Sequence, residues 1–589
     1  GSEEHPFNTI ASARDYARAN KTQDRATEII IREGTYNLGG VLSFVDSDSN
    51  TCIRPYGSEK VILRGGKTLP ISDFSQASDS RIKAGAAGKV LKVNLNDMGI
   101  AAPKLYVTGH STAELSAAGY SGMGTDSTVY ASGEMMRPAR YPNEGYMTIK
   151  SVTQNGSAKN KLPMIFTAEE DMSRWSAASD ARVFGYWYYD WSDQTTPVAG
   201  ITDSTITTAY PSGYGVREGQ RFYIYNLLEE LDAPGEWFYD KADGNFYFYP
   251  PEGCTEVTLC TDVSGIISVD GADSVEIMGL DIQNSGYDAV AISKSTFVTV
   301  RNCKVTNAAS YGIKAYGKNL RVLENTVSSV GRSGIGTDGG DTKTLEACGN
   351  VIRDNKIYDT SKLVTRYTPS LRIEGVGVRA EGNKLYDAPH CAVIFGGNDH
   401  VIAGNEIYNV VTDSADSGAI YAGRSAVSRG TQISGNYIHD IATASSHGAV
   451  YGIYLDDCMC GVSMIGNRFE NISGTGIFVN GGRNNDVVKN SFSNIEESAV
   501  ALSTAGMTNW YGDDDNFKTM MGLSEGTYKT TPYLKYANLY NMAEDEMRMP
   551  KYNVISANAY TACKNKVAIQ LFGSAASEAA VRDANTIED

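Results

Sequence analysis

The chain reads as an all-β protein: a right-handed parallel β-helix, that is, a solenoid of stacked coils, with an N-terminal capping helix and an inserted β-rich domain. Three features predict this. An Asn-x-hydrophobic element recurs seven times between Asn325 and Phe492; short strands with alternating apolar residues lie between the copies; and residues 104–250 lack both, carrying longer aromatic strands instead. A repeat with a period of a few tens of residues is the mark of a solenoid, whose length grows by adding turns.

In chain order, residues 6–20 put Ile10, Ala13, Tyr16 and Ala17 on one helical face, with Asn8 or Thr9 as cap. A solenoid needs such a cover, because an open strand edge recruits other chains. Strands at 28–32 and 61–64 follow, and 1–103 is expected to hold the cap and the first coils. Residues 104–250, with Gln220–Asn226 and Gly244–Pro250 as examples, form the inserted domain; 251–589 form the main β-helix and its groove.

The repeat consists of Asn325-Thr-Val327, Asn355-Lys-Ile357, Asn383-Lys-Leu385, Asn405-Glu-Ile407, Asn436-Tyr-Ile438, Asn467-Arg-Phe469 and Asn490-Ser-Phe492, at intervals of 30, 28, 22, 31, 31 and 23 residues. A base period near 22 with insertions suits one coil carrying variable loops. Stacking in register places these Asn in a ladder of amide hydrogen bonds. The second strands are 311–316, 333–338, 371–374, 392–396, 418–422, 452–456 and 476–480.

A formal charge of −17 and a pI near 5.0 exclude a nucleic-acid partner, which needs a basic face. No apolar run reaches the length of a membrane span. Gly1-Ser2 reads as an added pair ahead of a trimmed natural N-terminus, and export (secreted, cell-surface or periplasmic) is expected from function only. The nine cysteines, with Cys254/Cys260 and Cys458/Cys460 the close pairs, fit buried apolar positions or an occasional disulfide. Neither a metal nor a cofactor is expected; Asp513–Asp515 lacks EF-hand spacing.

Alternate residues of a stacked strand face outward, which puts Tyr316, Asp338, Glu374, Gly396, Ala422, Asp456, Asn480 and Ser503 in one outward column. Acids and aromatics around small residues make a groove floor for an extended sugar. Asp416 enters one strand of this face, and Asp456-Asp457 leave the strand of the next coil. Asp416 and Asp457 are 41 positions apart in sequence yet belong to consecutive coils, roughly 5–10 Å apart. Glycoside hydrolysis needs two carboxyls across the scissile bond, and mutual repulsion raises the pKa of one.

The blocks Gly375-Val-Gly377, Asp387-Ala-Pro-His390, Phe395-Gly-Gly-Asn-Asp-His400, Asp416-Ser-Gly-Ala-Ile-Tyr421 with Gly423-Arg424, and Gly452-Ile-Tyr-Leu-Asp-Asp457 resemble the β-helix carbohydrate-active enzymes that include glycoside hydrolase family 141. Ala139–Tyr146 and Asn226–Trp237 are similar to that group's inserted domain. The resemblance implies α-L-fucosidase-like or xylanase-like hydrolysis of a plant cell-wall or related glycan, with Asp416 and Asp457 as the pair. Asp456, Glu374, Asp338, His390, Asn398, His400, Tyr421, Arg424 and Arg483 are the expected substrate contacts, while Asp399 and Asp413 read first as turn residues. Cys458-Met-Cys460 replaces the small Gly-containing turn usual in related sequences.

Three other readings compete. A polysaccharide lyase needs a Lys, Arg or His base and a cation at the uronate carboxyl; a glycan-binding β-helix needs no acids; another glycosidase would place its acids at Asp338 and Glu374. The excursion 505–552 is expected to wall the site, with Trp237, Tyr454 and Trp510 as aromatics able to stack on sugars.

Overall fold

A computed structural model describes residues 1–21, 26–445, 447–524, 526–573 and 576–588. Its main body is a parallel β-helix. Strands of mostly three residues stack into a 13-stranded parallel sheet, and the other two faces, joined at a corner, form a 22-stranded ladder. Each face sends an apolar column inward, and the third face adds a second one two residues further along each strand, as in Ile420 and Ala422 or Ile453 and Leu455. On the first face the column runs Ile277, Val300, Val322, Ile352, Ala380, Ile402, Ile433, Met464, Val487 and Ile555, in register from coil to coil. The second carries Ile282 through Ile357 and Ile438 to Phe492, the third Val290 through Ile335 and Ile420 to Val500. β-branched residues dominate because they pack well on a pleated surface, and each fully buried Ile or Val contributes roughly 1.5–3 kcal/mol.

The Asn ladder is present. From Asn325 to Asn558 every side-chain amide donates to the Oδ1 of the Asn in the next coil, at 2.9–3.1 Å. The residue before each rung has a left-handed backbone, which Gly382, Gly404, Gly435 and Gly466 adopt without strain. A second polar ladder runs along an exposed corner, where Asn494 donates to Asn471 and Asn471 to Asp440.

The N-terminal helix Ile10–Ala19 is capped by Thr9, which accepts from the Ser12 N–H. Ile10 enters the core, but Tyr16 is 54% exposed against the expectation that it faces inward; it packs on Phe7 instead. At the far end the helix Glu578–Asp583 buries Val581 in the same core. All nine cysteines are free thiols.

The insertion is wider than the sequence suggested. After Val61–Arg64, a solenoid strand, the chain leaves at Lys67–Pro70 and returns at Glu256–Cys260, and these two strands pair antiparallel. Between them lie two mainly antiparallel eight-stranded sheets, so position 104 falls inside the excursion. Solenoid stacking then resumes, Ile267–Asp270 pairing with Leu42–Val45. No helix among the described residues is long and apolar enough to cross a membrane.

Replacing Asn405 by Leu removes the acceptor of the buried Asn383 backbone N–H and of one Asn383 amide hydrogen, and takes a donor from the Ala380 carbonyl, while Asn436 Oδ1 keeps only the residue 405 backbone N–H. The expected loss is about 2–4 kcal/mol in urea unfolding, and Asn494→Gly on the exposed ladder should lose less than half of that.

Candidate active site

The third face carries the groove. Register places Tyr316, Asp338, Glu374 and Gly396 in successive coils, and Gly423 opposite Asp456, followed by Asn480 and Ser503. The position expected for Ala422 therefore belongs to Gly423; Ala422 pairs with Leu455 and points into the core. In neighbouring coils a glycine precedes the inward Ile (Gly312, Gly334, Gly452, Gly476), whereas Ala419 fills that place before Ile420, so counting from Gly418 shifts the phase by one. The Glu374 carboxylate lies over Gly396, where a Cβ would stand 2.5 Å from it and push it aside.

Three carboxylates meet where the strands Ser417–Gly423 and Val450–Asp456 run side by side. Asp416, left-handed at φ 54°, has its N–H on the Ala449 carbonyl and accepts from the Tyr454 hydroxyl at 3.0 Å. Its side chain reaches solvent, yet burial among surrounding protein raises its pKa, the Tyr454 bond opposes the rise and the charge of Asp457 adds to it. Solvent contact together with desolvation describes the floor of a cleft.

Asp456 accepts from the Tyr421 hydroxyl (3.0 Å), the Asn480 amide (2.9 Å) and the Asp457 N–H (2.7 Å). Ser503 holds Asn480 in turn, donating to its Oδ1. Burial, then the charges of Asp457 and Asp416, push Asp456 up to about 6, against the bonds from Asn480 and Tyr454. The Tyr454 hydroxyl thus lies between Asp416 and Asp456.

Asp457 is placed differently. Arg424 pairs with its Oδ2, Nε at 2.9 Å, and the Tyr511 hydroxyl donates to its Oδ1 at 2.9 Å. Trp510, beside Tyr511, is 73% exposed. The excursion 505–552 docks on an apolar pad that includes Cys458 and Cys460, so the turn at Cys-Met-Cys also supplies packing surface under Tyr511. Asp513 caps the helix Asp514–Met520.

Four expected contacts lie elsewhere. His400 is buried, its Nδ1 accepting from the Val378 N–H and its Nε2 on the Gly396 carbonyl; burial lowers its pKa to about 4. Asn398 donates to the Val427 carbonyl (2.7 Å) and Arg483 to Asp545 (2.6 Å), both fastening the 420–552 region. His390 is buried with Nε2 3.2 Å from the Ser417 hydroxyl, and burial followed by the charge of Arg366 holds it neutral. Asp338 and Glu374 do line the groove, with Glu374 paired to Arg372 at 3.3 Å and its pKa raised by burial.

Asp413, taken for a turn residue, is an ionic hub. Arg221 of the insertion pairs with its carboxylate, Tyr186 and Tyr146 donate to it at 2.6 and 3.2 Å, and buried Arg366 donates to its carbonyl at 2.7 Å. Burial would raise its pKa, but Arg366 and Arg221 outweigh that and hold it low. The hub fixes the insertion against the loop that carries Asp416. Sequence reasoning missed it because the partners come from a segment without repeat, although Asp413 and Arg366 in one apolar region were a signal.

A sequence profile described as "Right handed beta helix region" matches residues 255–368 and 369–518. No curated protein matches the chain. Among solved structures the chain is similar to one named "Glycoside hydrolase", at 15% identity and TM-score 0.63, over 84% of this chain and 94% of that one. It is also similar to XylC in complex with xylose, at 12% identity and TM-score 0.51, over 96% of this chain and 84% of the other. Stacking register, profile and structural likeness agree: the protein is a right-handed parallel β-helix.

Proposed function

We propose that the protein is a glycoside hydrolase of the extracellular or periplasmic space, cleaving a plant cell-wall or related glycan at Asp416, Asp456 and Asp457. One observation carries the reading: two carboxyls pushed toward the neutral form stand beside a third that is held by a cation. Asp416 and Asp456 flank one hydroxyl, and burial raises the proton affinity of both. Asp457 pairs with the Arg424 guanidinium and accepts from the Tyr511 hydroxyl. A carboxyl that keeps its proton beside a fixed carboxylate is the arrangement an acid and its partner need.

In this mechanism the acid proton belongs to the Asp416–Tyr454–Asp456 unit as a coupled pair. Asp416, the solvent-reaching member, delivers it to the glycosidic oxygen as the bond to the anomeric carbon breaks. Asp457 supplies the electron pair, by attack on that carbon or by taking a proton from water. Asp456 recharges Asp416 and keeps the cluster's charge down below pH about 6. The likeness to a solved glycoside hydrolase and to XylC, and the family 141 resemblance, support an α-L-fucosidase-like or xylanase-like substrate. A lyase is disfavoured because Arg424 is paired with Asp457, Arg372 with Glu374, and His390 is buried and neutral.

A screen of aryl glycosides and plant polysaccharides tests the reading. Asp416→Asn and Asp457→Asn should each lower kcat by about 10²–10⁴-fold, with glycan affinity changed only a few-fold. A wild type that binds glycans without turnover, or that releases an unsaturated product absorbing in the ultraviolet, would refute it.

The pH profile follows from the same assignment. Activity falls as pH rises through the raised pKa of the acid unit, so the alkaline limb of kcat/KM lies on the acid side of neutrality. Asp456→Asn removes a like charge beside Asp416 and should move the alkaline limb to lower pH, with kcat reduced less than in Asp416→Asn.

Asp413→Ala leaves buried Arg366 without its carboxylate and Arg221 with Asp190 alone, and should cost about 3–5 kcal/mol. The gentler Asp413→Asn should lower kcat with little change in the pH profile, since it displaces Asp416 without altering its neighbours; thermal melting and kinetics separate the two.

A further inference from the structure

We propose that an aromatic wall contributed by the insertion, centred on Trp191, is a stacking subsite for a neutral pyranose next to the acids. The inference rests on the hydrolase reading and names a substrate class and subsite for it.

An unbroken run of rings leads from the insertion to the carboxylates. Trp191 stacks on Tyr189 (4.8 Å) and meets Tyr214 (5.1 Å) and His110 (5.8 Å) edge-on. His110 stacks on Tyr367 of the solenoid at 4.1 Å, and Tyr367 is edge-on to Tyr421 at 5.8 Å. Tyr421 donates to Asp456 and lies edge-on to Tyr454, which donates to Asp416. His110, Trp191, Tyr214 and Tyr367 belong to none of the apolar cores and are all half-buried. Packing alone does not call for such rings, whereas the C–H faces of a sugar do.

The wall is rigid. Buried Asp193 accepts from the His110 N–H at 2.7 Å with one oxygen, and from the Thr365 N–H and hydroxyl at 2.8 and 2.9 Å with the other. Ser111 and Ser192 share a hydrogen bond at 2.6 Å. This one carboxylate locks the wall's loop to the solenoid loop before Tyr367, so little order is lost on binding. Arg424 and Arg372, the cations at the carboxylate end of the wall, are each paired with a carboxylate, and Arg217 lies at its other end over the Tyr188 ring. A uronate would meet Asp416 and Asp456 without a compensating charge, and a neutral sugar avoids that cost.

The tryptophans supply the test. Of five, Trp175, Trp187 and Trp237 are buried in cores, leaving Trp191 and Trp510 able to respond to a ligand. In full-length Asp416→Asn/Trp510→Phe protein, xylohexaose or a fucosylated xyloglucan oligosaccharide should change the tryptophan emission, and further Trp191→Phe should abolish the change. Trp191→Ala should weaken binding about tenfold and raise KM more than it lowers kcat, while oligogalacturonate gives no response. Unchanged Kd and KM in both Trp191 variants, tighter binding of oligogalacturonate, or no response to any of these sugars overturns the proposal. Binding through Trp191 without wild-type turnover keeps the subsite and removes the hydrolase reading; turnover that ignores Trp191 does the reverse.

Discussion

The constraint on which the rest depends is the coil-to-coil register. Each Asn rung binds the next coil at a fixed height, and stacked apolar columns fill the space between the faces. A slip of one residue would turn every inward Ile outward and expose the amides. Because the register holds, Gly423 stands opposite Asp456, and carboxylates far apart along the polypeptide gather at one point. The catalytic geometry proposed above is a by-product of a stacking rule that operates along the whole solenoid.

Departures from the rule are fastened by buried arginines. Arg366 grips the insertion through the Asp190 carbonyl and Asp413. Arg429 donates to the Ala537 carbonyl and Arg483 to Asp545, both in the excursion 505–552. A guanidinium has five donors in a planar fork, enough to serve several carbonyls of an irregular segment at once. Removing one such partner strands a buried charge.

Legibility in the sequence followed periodicity. The Asn ladder could be read because its spacing repeats and only a side-chain amide both donates and accepts along a stack. The groove column failed at Ala422 because its coil has Ala419 where four others carry glycine, so that Gly418, one place earlier, was matched to those glycines. Tyr511, Asp193 and the Trp191 wall were invisible for a different reason. They come from segments with no repeat, so nothing in their spacing says which coil they face. Arg483 and His400 were misread because a polar residue near a groove looks the same whether it faces a sugar or fastens a loop.

The groove's charge balance explains why three carboxylates can share one site in a chain already at −17. Arg424 answers Asp457 alone, and the remaining pair relies on phenols and an amide: Tyr421, Tyr454 and Asn480. Neutral donors stabilise a carboxylate less than a cation does, so burial prevails and the pair holds a proton in the acid range. A second arginine near Asp456 would make the cluster more stable and strip it of its acid. The asymmetry on which the proposed division of roles rests is thus that a cation answers one of three chemically identical side chains and neutral donors answer the other two.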